Sequence, residues 1–331
     1  MDYEIIATLG PSSSEPTLWQ SMLSNGVTAF RLNTSHLTLD ALTQWLEQYY
    51  HFFSTDSYIV PLYLDLQGSK WRLGSFPTCV LDIGQKLQLV CEQSSDDAKT
   101  LPVPHSDFFG ALPQSNGELV LSDGKIRMQV INTKDNIIIA KVTQAGEIAP
   151  HKGITLPTSS YRKETLSLKD QAIIAQTSAY PFLRYALSYV KDALEMKNYR
   201  AFLGDSAYLC AKLERTTALE EVLSIADLAD ELWLCRGDLG AEVGIKAMAE
   251  IVHSFSNLLP QLTIPIILAG QVLEHLVSYP NPTRSELCYL YDSLCKGYKG
   301  FVLSDETAVG SFVLEACCTA AIFKDEAYCS H

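Results

Sequence analysis

The sequence predicts an α/β protein: a closed (β/α)8 barrel of the TIM type, with a small all-β lid domain inserted after its third strand. Three observations predict it. Strand-like and helix-like segments alternate eight times along the chain, which favours a closed barrel over an open doubly wound sheet. The alternation fails once, between Gly74 and Ile154, where period-two runs replace helical periodicity. Charged side chains also recur just beyond the strand-like runs, and a parallel barrel gathers those strand ends at one mouth.

The first three strand-like runs are Glu4–Thr8, Thr28–Asn33 and Tyr58–Asp65, separated by helical patterns over Glu15–Gly26 and Leu39–Phe52. After the insertion come strands at Phe182–Val190, Tyr208–Leu213, Glu231–Cys235, Ile264–Ala269 and Gly300–Ser304. Helices are expected at Leu168–Ser178, Asp192–Leu203, Ala218–Ala229, Ala247–Leu259, Arg284–Gly297 and Phe312–Ala327. The runs are short, apolar and nearly continuous, as strands covered on both faces should be. Within the insertion, Leu87–Cys91, Glu118–Leu121, Ile126–Ile131 and Ile137–Val142 alternate apolar and polar residues, with turn signals between them. Residues 1–73 and 155–331 are therefore read as the barrel and 74–154 as a β-barrel-like lid domain. An insertion at that rim overhangs the barrel mouth, which is why it reads as a lid.

Composition bounds the function. With 25 basic against 38 acidic residues in 331, a net charge of −13 argues against a nucleic-acid partner, though it leaves room for a local basic cleft. Neither a signal-peptide pattern nor a long apolar span is evident, so a cytoplasmic protein without membrane attachment is expected. Nine cysteines without a CxxC spacing suit thiols in apolar surroundings, Cys91, Cys210, Cys235 and Cys288 among them, better than a disulfide framework. The absence of GxGxxG after the first strand weakens a dinucleotide-binding reading.

Two cassettes carry the chemistry: Ala211-Lys-Leu-Glu-Arg215 and Cys235-Arg-Gly-Asp-Leu-Gly240. Lys212 and Glu214 alternate by two and so share a strand face, while Asp238 leaves the next strand on a Gly-flanked turn. Two carboxylates and an amine beyond strand ends suit a divalent cation with a phosphate-binding lysine, although two ordinary charged surface turns would have the same spelling. The other strand ends add Arg31, Arg72, Gln271, Ser304 and Glu306. Cations for phosphoryl oxygens and hard oxygen ligands for Mg²⁺ or Mn²⁺ are what phosphoryl transfer requires.

At this point the chain resembles pyruvate kinase, from residue 4 to about residue 327. The resemblance rests on nine ordered cassettes: Ala7-Thr-Leu-Gly-Pro-Ser-Ser13, Arg31-Leu-Asn-Thr-Ser-His36, Leu64-Asp-Leu-Gln-Gly68 with Arg72, Ser122-Asp-Gly124, Lys152-Gly-Ile-Thr-Leu-Pro157, Ala211-Lys-Leu-Glu214, Arg236-Gly-Asp-Leu-Gly240, Asn281-Pro-Thr-Arg284 and Ser304-Asp-Glu-Thr-Ala308. The family implies that Lys212 stabilises charge on the transferring phosphoryl group and the enolate, and that Glu214 and Asp238 hold the metal. Backbone amides of Gly237 and Asp238 would meet the substrate carboxylate. Arg31 and Arg72 would clamp phosphate; Asn33, His36 and Lys152 would approach the nucleotide; Ser304 and Glu306 would serve the proton network. The implied ligands are ADP or ATP and phosphoenolpyruvate, or a related enol phosphate or 2-oxo acid. A non-catalytic nucleotide- or phosphometabolite-binding relic and a metal-dependent enolate lyase or decarboxylase are the alternative readings.

Three departures from the family pattern stand out. Leu66, Gln67, Lys70 and Leu73 resemble the subset of the family that does not require K⁺, with the Lys70 ammonium substituting for the monovalent cation beside Asn33, Ser35 and Asp65. The seventh strand ends Leu268-Ala-Gly-Gln271 where the family has threonine before glutamine, so Gly270 offers no hydroxyl, is expected to leave more room, and opens the possibility of a specialised substrate. The resemblance stops after the eighth helix, so neither the family's C-terminal regulatory domain nor its control by sugar phosphates is expected, and a monomer or barrel-mediated homodimer is.

Overall fold

The computed structural model describes residues 1–54, 59–68, 70–97, 99–122, 124–134, 137–157 and 166–324, with the side chains of His36 and Gln114 also left out. The eight barrel strands are β1 (Glu4–Leu9), β2 (Ala29–Asn33), β3 (Leu62–Leu66), β4 (Leu183–Leu187), β5 (Tyr208–Leu213), β6 (Glu231–Cys235), β7 (Ile266–Ala269) and β8 (Gly300–Leu303). All pair in parallel, each with its chain neighbour, and β8 closes on β1. The expected fold class is the observed one.

Period two along each strand sorts side chains into two cores. Outward-facing Ile5, Phe30, Leu62, Leu64, Leu209, Leu232 and Leu268 pack against the helices in one continuous cluster. Inward-facing Ile6, Ala29, Tyr63, Ala186, Cys210, Trp233, Ile267 and Val302 fill the barrel interior. One pleat further toward the mouth, the inward positions become Arg31, Asp65, Ser188 and Lys212, so the polar site is the top layer of the barrel core.

At the opposite end, the interior closes on a buried carboxylate. Glu231 is 1% exposed and accepts from the Tyr63 hydroxyl at 3.0 Å, the Tyr208 hydroxyl at 3.2 Å and the Trp233 indole at 2.5 Å. The Arg184 guanidinium lies 4.1 Å over the Tyr208 ring. Burial pushes the Glu231 carboxyl up to about 7, against those hydrogen bonds.

The inserted domain has its own apolar core, centred on Leu87, Leu89, Phe108, Leu119, Met128 and Ile138. Among the described residues its strands are hydrogen-bonded as a six-stranded sheet and a separate two-stranded ribbon, not as a closed barrel. It is also not purely β, because Ser106–Ala111 is helical and buries Phe108 and Phe109. The chain enters and leaves this domain side by side. Leu73 N donates to Lys152 O at 2.9 Å and Ile154 N to Trp71 O at 3.0 Å, so two antiparallel segments cross together.

Elsewhere the structure adjusts expectations. The Ala218–Ala229 pattern is two short helices, Thr216–Glu220 and Val222–Ala226, parted at Glu221, whose carboxylate accepts the Ala193 amide of the preceding helix. The strand expected over Phe182–Val190 stops at Leu187, because Tyr189 turns into the left-handed region at φ 61°. The helix expected over Phe312–Ala327 is Val313–Ala320; residues 325–327 and Tyr58 lie outside the described residues. Cys91 and Cys288 are exposed rather than apolar-packed, and Cys318 is disulfide-bonded. Among the described residues no helix is long and apolar enough to cross a membrane.

Candidate active site

A cavity of about 610 Å³ opens at the strand C-termini and is roofed by the inserted domain. Its centre is a buried charge ring. Asp65, on β3, accepts Arg31 Nε at 2.8 Å, Lys212 Nζ at 3.0 Å and Ser188 Oγ at 2.9 Å. Burial would raise the Asp65 carboxyl, but Lys212 and Arg31 hold it down at about 2. Lys212 also pairs with Glu214 Oε1 at 3.0 Å. Its own burial works against the charged form, yet Asp65 and Glu214 reverse this and keep the ammonium protonated.

Glu214 is 1% exposed and its second oxygen accepts the Tyr189 amide at 2.7 Å. Burial raises its carboxyl to about 6; Lys212 opposes the rise, while Asp238 and Asp65 add to it. Two carboxylates that repel one another across a cavity suit a divalent cation. Among the described residues no cluster of three His, Cys, Asp or Glu side chains forms a cage. That donor set fits Mg²⁺, which is commonly held by one or two carboxylates with water and substrate oxygens completing its shell.

Asp238 lies in the first turn of the helix Arg236–Val243, whose Gly237 also lines the cavity. Unpaired amides and the helix dipole favour an anion there. Asp238 Oδ1 accepts the Tyr189 hydroxyl at 2.9 Å and pairs with Lys70 Nζ. For Lys70 this is a partner outside the expected set. The structure pairs it with the candidate metal ligand, whereas of the expected set Ser35 Oγ accepts Arg72 at 3.0 Å, Asn33 Oδ1 accepts the Ser35 amide at 3.2 Å, and Asp65 is engaged by Arg31, Lys212 and Ser188.

Arg31, Arg72, Asn33, Lys152, Gly270 and Ser304 all line the cavity, as do Lys125, Arg127 and Gln144 from the inserted domain. Sequence reasoning missed those last three; Arg127 and Gln144 lie on domain strands and Lys125 in the turn just before one. The His36 side chain and Asp123 lie outside the described residues. Two expectations need correction. Glu306 is fully buried and does not line the cavity; its oxygens accept the amides of Leu273 at 2.9 Å and Ser304 at 2.6 Å, tying the β7 and β8 loops together. Gly270 does not open a hole. It sits at φ +88°, and a β-carbon there would lie 3.1 Å from the Gly237 amide nitrogen, so glycine serves the backbone bend that Arg236 fastens by donating to Gln271 O at 2.9 Å.

Residues whose role depends on a turn were not readable from spacing. Tyr189 and Ser188 lie past the end of β4. Asp170, fully buried, accepts the amides of Gln67 at 3.0 Å and Gly68 at 2.9 Å and so fixes the loop that carries Lys70.

At the mouth of the (β/α)8 barrel, a buried lysine, two carboxylates and a helix N-terminus meet beneath the inserted domain. The family model "Pyruvate kinase, barrel domain" matches residues 2–317, and the chain belongs to that family. Among curated proteins it is 31% identical over 318 residues to a pyruvate kinase of Agrobacterium vitis, covering 94% of this chain and 66% of that protein. It is 29% identical over 315 residues to one from Methylorubrum extorquens, covering 95% and 66%, so the chain spans just under two thirds of these relatives' length. Among solved structures, a pyruvate kinase from Cryptosporidium parvum superposes with a TM-score of 0.84 at 23% identity, covering 97% of this chain and 68% of that one, which supports the fold.

Proposed function

We propose that this protein catalyses Mg²⁺-dependent phosphoryl transfer between an enol phosphate, phosphoenolpyruvate or a close relative, and a nucleoside diphosphate. The observation that carries the reading is charge. In a chain of net charge −13, the cavity collects, among the described residues, Arg31, Lys70, Arg72, Lys125, Arg127, Lys152, Lys212 and Arg236 against five acidic side chains, Asp65, Glu214, Asp238, Glu274 and Asp305. Such a local excess concentrates phosphates, and focusing by a cleft outweighs net charge.

In this reading the substrate carboxylate rests on the amides of Gly237 and Asp238, and its phosphoryl group faces Arg31 and Arg72. Lys212, held charged by its two carboxylate neighbours, neutralises the oxygen that becomes the enolate, so the enol–phosphate bond breaks without a covalent intermediate on the protein. A divalent ion held by Glu214 and Asp238 would supply further neutralisation of the phosphoryl oxygens. Lys152, Lys125 and Arg127 would approach the nucleotide from the inserted domain. Ser304 remains as the residue near the enolate's far face, with Glu306 holding its loop. The Lys70 ammonium supports activity without K⁺.

The test is ATP formation from ADP and phosphoenolpyruvate with Mg²⁺, with and without KCl. Turnover without K⁺ is expected, and Lys212→Met is expected to lower kcat at least ~100-fold, the usual cost of a lost charge-stabilising donor, with nucleotide binding retained. No turnover with any enol phosphate or 2-oxo acid, alongside ligand-dependent shifts in Tm, would leave a binding protein instead.

A further inference from the structure

Lys70 is seated in a way that ordinary surface lysines are not. Its side chain is 8% exposed and its ammonium bonds Asp238 Oδ1. The Tyr189 ring lies below, with its centroid 5.3 Å from Nζ, and the Tyr189 hydroxyl reaches the same Asp238 oxygen. The other wall is the backbone of Gly153, where an added β-carbon would stand 2.2 Å from Lys70 Cε and 2.9 Å from Nζ. A missing side chain on the returning segment thus makes the space that the lysine stem fills. Lys70 itself follows the loop anchored by Asp170 through Gln67 and Gly68.

The position matters because Asp238 is one of the two carboxylates read here as the divalent ion's ligands. An ammonium and a divalent cation carry like charge, and placing both on one carboxylate incurs mutual repulsion that partial burial strengthens. We propose that Lys70 is a built-in competitor of the divalent cation. Its ammonium satisfies Asp238 while the site is empty, and cation binding must drive it from the seat between Gly153 and Tyr189. The cation's affinity is therefore set by a side chain outside its coordination shell, and the displaced ammonium becomes an additional charge facing the cavity. Tyr189, bonded through its amide to Glu214 and through its hydroxyl to Asp238, keeps the two carboxylates aligned when the lysine leaves. The inference rests on the reading of Glu214 and Asp238 as the cation's ligands.

Binding of Mn²⁺ alone, without nucleotide or substrate, tests it at fixed pH and ionic strength, by titration calorimetry and by the electron paramagnetic resonance of free Mn²⁺. Lys70→Met keeps the stem and removes the charge; it is expected to tighten Mn²⁺ binding at least about tenfold, the lower end of what one close charge does to a neighbour's equilibrium. Gly153→Ala keeps the charge but takes the seat, and a smaller tightening in the same direction is expected. Should Lys70→Met fail to fold, Gly153→Ala decides alone. Mn²⁺ affinity within twofold of wild type in the folded variant, or weaker, overturns the inference. Asp238→Asn separates the two levels: if it loses Mn²⁺ while Lys70→Met is unchanged, the competitor falls and the site stands. If Asp238→Asn binds as wild type does, or neither wild type nor Lys70→Met binds, both fall together.

Discussion

Asp65 and Glu231 are both carboxylates buried inside the barrel, and their neighbours push them in opposite directions. Asp65 faces two cations and is held at about 2; its contribution to stability is present above the unfolded carboxyl pKa and is lost as pH falls through about 2. Glu231 faces mainly neutral hydroxyl and indole donors and rises to about 7 from 4.5. Its neutral form is the one the fold accommodates, so stability is fully present below 4.5 and declines as pH rises through about 7. The stability of wild type relative to Glu231→Gln is expected to fall by about 3 kcal/mol between pH 4.5 and 8, read from urea unfolding at each pH. A flat difference would show that Arg184 keeps Glu231 ionised throughout. Individual residues were legible wherever strand period two fixed their direction: Lys212 and Glu214 share the mouth, as their spacing requires. Glu306 was not, because its carboxylate turns away from the cavity to take two amides, and nothing in Ser304-Asp-Glu-Thr307 distinguishes that from an outward turn. Gly270 was misjudged for a related reason. Sequence displays the missing side chain, while the positive φ that requires its absence arises from the bend at the end of β7.

At the level of elements, the strands were the most legible parts because each is apolar on both faces and bounded by polar residues. β5 and β6 match their expected limits at both ends. Helix ends were less legible, since capping partners lie far away in sequence. The helix Leu168–Thr177 shows why this matters for the site. Ser167 Oγ caps it by accepting the Asp170 amide at 3.0 Å, and the Asp170 carboxylate then holds the Gln67–Gly68 turn over a hundred residues earlier. Gly68 tolerates the close approach: at φ +63°, a β-carbon there would stand 2.2 Å from Ser188 O. Asp170→Ala strands two amides, one of them buried, and is expected to cost about 2–4 kcal/mol, measured as a lower urea midpoint. If the loss stays under about 0.5 kcal/mol, typical of a neutral surface change, the turn is held by something else.

For the whole molecule, alternation along the chain was enough to give the barrel, and its single interruption gave the inserted domain. What could not be read was how that domain is joined, which depends on hydrogen bonds between residues about eighty positions apart. Leu73 and Lys152 are bonded neighbours, so the domain leaves and re-enters the barrel through adjacent antiparallel segments roughly 5 Å apart. In engineering terms the insertion is a cassette with abutting ends. Excising it and bridging Leu73 to Lys152 with a two-residue turn closes a loop far shorter than the one removed, and loop-closure entropy favours the shorter chain. Leu73, Ile154 and Leu156, which belong to the excised domain's core, would need polar replacements. The shortened barrel is expected to unfold as one cooperative unit by circular dichroism and to lose the proposed nucleotide affinity together with Lys125 and Arg127. A molten or aggregated product would mean that the barrel depends on its insertion to fold, making the two parts one folding unit despite their separate cores.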